Sequence, residues 1–289
     1  MWFPPQRLPV INGFLMTFGA LGALSATVPV EWFLGILDWR ALFVGLAVFS
    51  LALSLVIFTV VPDHDDPPGH TTLRDQVGGL AQVFRDRFFR GIAPFAGLSM
   101  GVSMAIVGLW AGPWLRDVAG LDRAGVATHL LIITAGMGLG FFGMGLLTER
   151  LARLGLRPMT VAGIGMTAFL VTVIMLAAGG TDRGLWVLLA FMGFVSSAGS
   201  LCYSLLSQHF PRDLAGRSNT ALNVLVFVTA FIVQWGAGVI LSAWEDPVTH
   251  QYDPMGYSVA FGLVATLQGI ALIWFVRQWI RHADQRPGA

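Results

Sequence analysis

Polar side chains are scarce in the long apolar stretches of this 289-residue sequence, and those present are the groups able to do chemistry. One stretch carries Ser99, Ser103, Trp110 and Trp114. A second carries Ser196, Ser197, Ser200, Tyr203 and Ser204, a third Asn223 and Gln234, and a fourth Gln268. All are uncharged hydrogen-bonding groups. Unpaired polar groups are costly in lipid, so such residues tend to face a bundle interior. The same residue types have structural uses. Small residues allow helices to pack closely, serine bonds back to its own backbone, and tryptophan near a span end anchors at the interface. Carboxylates are nearly absent from the stretch centres; Glu31 follows Pro29 near one end. Of the six histidines only His129 falls within a stretch, and none forms a metal-ligand pair at helical spacing. Cys202 is the lone cysteine, so neither an intramolecular disulfide nor a cysteine metal cluster can form. No P-loop, nucleophile elbow or paired intramembrane carboxylate occurs, which argues against an ATP-driven pump, an enzyme or a cofactor site.

The elements that position these groups follow from composition. Hydrophobic residues make up 55% of the chain and charged residues 11%, against roughly 25% charged in soluble domains. The mean hydropathy is +0.72. Lipid must be the solvent for much of this surface. A helix needs about 20 mostly apolar residues to span a bilayer. About eight segments qualify, near Leu8–Ile36, Ala41–Val61, Gly91–Leu115, Val126–Leu147, Met159–Ala178, Leu185–Ser207, Ala221–Ala243 and Tyr257–Val276. Their length and continuity favour an all-α membrane protein over a β-barrel. The longest link opens with the breaker run Pro62–His70. Leu73, Val77, Leu80, Phe84 and Phe88 then recur at helical spacing among charges, which predicts an amphipathic helix on the membrane surface or under the bundle.

Orientation follows from the basic residues, all of which are arginine. Of 17, 13 fall on one side of the alternating links; Arg40, Arg116, Arg123 and Arg183 fall on the other. With an even number of spans, both termini are expected in the cytoplasm of a multi-pass plasma (inner) membrane protein. A net charge of +1 gives no reason to expect a nucleic-acid partner. Phe3, Pro4 and Asn12 pair with Phe210, Pro211 and Asn219 at one offset, 207 residues. The first and seventh segments then read as counterparts in a parallel repeat of six-helix halves, although Phe-Pro and Asn also favour helix starts.

The link after the fourth segment reads GLLTERLARLGLR, Gly145–Arg157. It resembles the cytoplasmic loop motif of the major facilitator superfamily, with Gly145, Leu147, Glu149, Arg150 and Arg153 at the motif positions. Glu149 replaces the usual Asp, and Ala152 stands where Gly is common. DWRALF (Asp38–Phe43), GLWAGPWL (Gly108–Leu115) and FPRDLAGRSNTALN (Phe210–Asn223) are similar to the same superfamily. The resemblance implies that residues 1–61 are the last two helices of an N-terminal bundle. Residues 62–90 are then a cytoplasmic linker, 91–280 a complete C-terminal six-helix bundle, and 281–289 a tail. It implies alternating-access transport of a small solute, with or without a coupling ion, by a chain that lacks four helices of the fold. The other reading is a non-transporting fragment or accessory subunit that needs a separate N-terminal half. In the superfamily the third and sixth segments here would line the cavity. The resemblance therefore makes Ser99, Ser103, Trp110, Ser200 and Tyr203 candidates for the substrate path, with Asn223 and Gln234 flanking. Gly145, Glu149, Arg150 and Arg153 become a candidate gate. Gly145 is expected to permit close packing near the turn, and Glu149 to sit beside the helix start at Arg7–Gly13. Arg116, near the presumed cavity mouth, is a weak pointer to anions and equally an interfacial anchor.

Overall fold

The computed structural model describes residues 28–60, 73–180, 184–248 and 250–283, with isolated positions before Val28. It is all helix apart from turns and one isolated bridge between Glu245 and Tyr252. Seven of the described helical segments are long and apolar enough to cross a membrane. They match seven of the eight expected segments. The first, Leu8–Ile36, lies mostly outside the described residues, and so do Arg7 and the run Pro62–His70.

Helix α1 spans Val28–Leu34, and α2 spans Trp39–Val60. No residue of α2 is buried, and Leu42 alone is half-covered. The amphipathic helix is present as α3, Leu73–Arg85. It packs under the bundle against the start of α10, Arg212–Ser242, and buries Val83 completely. A Cβ at Gly79 would crowd the Arg217 guanidinium, the movable end of a long side chain, where the two helices meet. Asp86 ends α3 and caps the next helix, its carboxylate accepting from the Phe89 N–H at 2.9 Å. The third span therefore begins at Arg87, four residues before the sequence boundary.

That span is interrupted. Helix α4, Arg87–Ala105, passes into a wider π turn at Ile106–Trp110 and resumes as α5, Ala111–Asp117. Helix α6 covers Arg123–Arg153 and α7 covers Pro158–Ala177. The span Leu185–His209 is interrupted too. Helix α8, Leu185–Ser196, tightens into a 3-10 turn at Ser197–Ser200 before α9, Leu201–His209. Helix α11 closes the chain at Pro254–Ala283.

Two glycine-lined contacts join the bundle. In α6 against α8, a Cβ at Gly136 would meet the Ala190 carbonyl, one at Gly140 the Phe194 carbonyl, and one at Gly193 the Ile133 carbonyl. In α4 against α10, Gly101 faces Thr229 and the Val226 carbonyl, and Gly97 faces Leu225. The backbones touch because no side chain separates them, as small residues permit in lipid. Helix α11 packs on α7 and α4, with the rings of Phe95 and Phe275 5.5 Å apart. At Gly145 nothing among the described residues lies within 4 Å of the Cβ position, and the turn after α6 is made by Gly155, at φ +87°. The close contact near that end of α6 comes from Gly143, against the Phe194 ring.

These contacts set an expectation for stability. Gly140→Ala should destabilise the folded bundle by about 1–3 kcal/mol, the usual cost of overpacking. Gly145→Ala should leave stability unchanged or raise it, by up to about 1 kcal/mol of helix propensity. Melting curves of the two variants in detergent check both.

Candidate functional site

The helices that carry the polar candidates divide them into two groups. On the open side of the bundle, α9 and the first half of α10 run antiparallel and are laced together. The Tyr203 hydroxyl donates to Asn223 Oδ1, and four residues along each helix Asn219 Nδ2 donates to Ser207 Oγ at 2.9 Å. Asn223, Ser204, Ser207 and Gln208 are exposed, and Tyr203 and Asn219 are half-exposed. Both rungs lie in spans apolar enough for the membrane. Exposed polar groups at such positions are costly against lipid and acceptable against water or another polar surface.

The second group is buried. Ser99 and Ser103 are 4% and 6% exposed, turned into helix contacts rather than toward the open face. Ser99 Oγ has no hydrogen-bond partner. Helix α11 runs antiparallel to α4, since Gly91 approaches Gln278, Phe95 meets Phe275, and Tyr257 reaches Asp117. That register puts Gln268 at the level of Ser99 and Ser103. Gln268 is fully buried, and neither its Oε1 nor its Nε2 has a partner among the described residues. Ser200 turns back on its own chain and donates to the Ser197 carbonyl at 2.7 Å; Ser196 and Ser197 do likewise. Trp110 and Gln234 are brought together, with the indole Nε1 donating to the Gln234 carbonyl at 3.2 Å. The π turn that ends at Trp110 is what aims this ring across to α10.

The motif residues lie at the arginine-rich end of α6. Glu149 pairs with Arg153 one turn along the same helix, at 2.6 Å, and both side chains are mostly exposed. Arg150 is exposed as well. The expected neighbour of Glu149, Arg7–Gly13, lies outside the described residues.

The most connected polar group escaped sequence reasoning. Asp117, its side chain completely buried, accepts from Arg116 Nε at 2.6 Å and Nη2 at 3.1 Å and from the Tyr257 hydroxyl at 2.8 Å. Tyr252 stacks edge-on against both Trp110 and Tyr257, and its N–H approaches the same carboxylate at 3.4 Å. One carboxylate thus ties the end of α5 to the start of α11 and to the link between α10 and α11. The Arg116 charge is answered by its neighbour, which removes the ground for reading it as an anion pointer. The signal available was compositional. The chain has three tyrosines, and two of them close on Asp117, but no spacing rule joins residues 140 apart.

Losing one hydrogen bond to a charged acceptor costs about 1.5–3 kcal/mol. Tyr257→Phe should lose that much, Asp117→Ala more, and the double variant less than the sum, since both remove one shared contact. Denaturation in detergent measures all three. Glu149→Gln should cost no more than about 0.5 kcal/mol, as for exposed pairs on one helix.

Comparison with curated proteins finds no match. The family model of the Major Facilitator Superfamily matches residues 1–234, most of the chain. With its seven described membrane-length helices and its loop motif on α6, the chain belongs to the major facilitator superfamily, whose members are secondary transporters.

Proposed function

We propose that this chain carries part of the path of a small solute through an alternating-access transporter, and that the polar face of α9 and α10 lines it. One observation carries the reading: two hydrogen-bonded rungs, Tyr203–Asn223 and Ser207–Asn219, stand exposed inside membrane-length helices. Trp110 and Gln234 border the same face from the π turn. Ser99, Ser103 and Ser200 support it from behind, as packing and backbone-bonded groups. The gate is the end of α6, with Glu149 held by Arg153 in the state described. The chain divides as residues 1–61, 62–90, 91–280 and 281–289, with both termini in the cytoplasm.

A second reading has its own observation. Helix α2 buries none of its residues, and among the described residues its packing is confined largely to α1. A helix from the end of an N-terminal bundle would lack a partner in this way until four further helices cover it, on this polypeptide or another. In that case the chain works as one component and not by itself. Proteoliposomes holding this chain alone should then show no uptake above empty vesicles across a panel of sugars, amino acids and organic anions. Uptake there would overturn the need for a companion.

Cysteine scanning tests the path. The single native cysteine is buried, so Cys202→Ala gives a silent background. Ser207→Cys and Asn223→Cys should react with a charged, membrane-impermeant thiol reagent, and Ile270→Cys on α11 should not. Equal protection of all three would end the proposal.

A further inference from the structure

A cleft lined by Arg87, Arg90, Trp274 and Gln278 opens between the start of α4 and the end of α11, with a volume of about 160 Å³. It lies on the arginine-rich side of the bundle, away from the α9–α10 face. Both arginines are exposed, and neither has an ion-pair partner among the described residues. Asp86, the nearest carboxylate in sequence, faces away. It caps the Phe89 N–H and meets His209 at 3.2 Å. Trp274 lies across the mouth of α4 and donates from Nε1 to the Arg90 carbonyl at 2.9 Å. Gln278 closes the back, its Cβ 3.4 Å from where a side chain on Gly91 would begin, and its Oε1 is buried without a partner. Two cations without an ion-pair partner among the described residues thus face one cleft.

The surface beyond the cleft decides what fills it. Trp274, Ile270, Leu267 and Leu263 follow one another at helical spacing along α11, between 45% and 61% exposed. This apolar stripe runs from the cleft toward the membrane centre. A tryptophan at the end of such a stripe marks the level of the lipid headgroups. A free phosphate would use the arginines and leave the stripe bare. A phospholipid uses both: its phosphate on Arg87 and Arg90, and an acyl chain along Ile270 and Leu267. Basic clefts between helices at this depth suit anionic headgroups.

We propose that this cleft is a binding site for an anionic phospholipid. The site is independent of the solute path and of whether the chain transports alone.

The test uses the full chain in detergent micelles, with retained lipid counted by native mass spectrometry. The probes are phosphatidylglycerol, phosphatidylcholine and inorganic phosphate. The chain should retain one phosphatidylglycerol more tightly than phosphatidylcholine. The Arg87→Gln, Arg90→Gln double variant should weaken it about 30-fold, since each arginine near a lipid surface is worth about one part of that loss. Arg157→Gln, on the same side but outside the cleft, should match the unaltered chain. Trp274→Leu should weaken retention without abolishing it, and melting curves confirm that each variant is folded. Equal retention of the two lipids, an unchanged affinity in the folded double variant, or displacement of the lipid by millimolar inorganic phosphate would each overturn the proposal.

Discussion

The bilayer offers a backbone nothing to bond with, and every other feature of this fold follows from that. Each N–H and C=O at membrane depth must be satisfied within the protein, so the chain folds into long helices. The two interrupted spans test the rule. The π turn at Ile106–Trp110 widens the regular ladder and the 3-10 turn at Ser197–Ser200 tightens it. The 3-10 turn is packed into protein, with Gly199 against Met100 and Ala198 against Gly165, whereas Gly108 and Leu109 of the π turn are exposed. Irregular turns survive where neighbouring helices cover them, or where the wider turn keeps its own backbone bonds, as from the Ala111 N–H to the Ile106 carbonyl. They also re-aim side chains, as when the π turn carries Trp110 over to Gln234.

Without a hydrophobic drive to bring helices together in lipid, contact quality holds the bundle. Gly136, Gly140 and Gly193 let α6 and α8 meet backbone to backbone, and Gly97 and Gly101 do the same for α4 and α10. Polar ties then fix the helix ends. Asp117 gathers Arg116, Tyr252 and Tyr257 at one end, and Asp86 gathers Phe89 and His209 at the other. The interior between them keeps uncompensated groups, Ser99 and Gln268 above all.

The sequence was most readable where a single period or a single composition carried the meaning. Seven spans, the amphipathic helix at Leu73–Arg85 and the superfamily could all be read from apolar run length, helical spacing and one loop motif. What could not be read depends on which way a residue turns within an all-apolar helix. Ser99 and Tyr203 looked alike as polar groups in a span, yet one is packed between helices and the other stands on an open face. Hydrophobic pattern cannot separate them, because lipid and bundle interior are equally apolar. Gly136, Gly140 and Gly143 carry the close contacts of α6 among the described residues, and no motif sets them apart from the other glycines of that run. The role of Asp117 was invisible because its tyrosine partners, Tyr252 and Tyr257, come from the far end of the chain.

The laced face of α9 and α10 has a consequence for binding strength. Tyr203, Asn223, Ser207 and Asn219 already spend hydrogen-bonding capacity on one another. A polar visitor that takes the place of a rung partner trades one bond for another, so that exchange is close to neutral and the net gain per contact small. Such a surface would grip weakly and let go quickly, with selectivity set by how well a visitor's donors and acceptors mimic the rung it replaces.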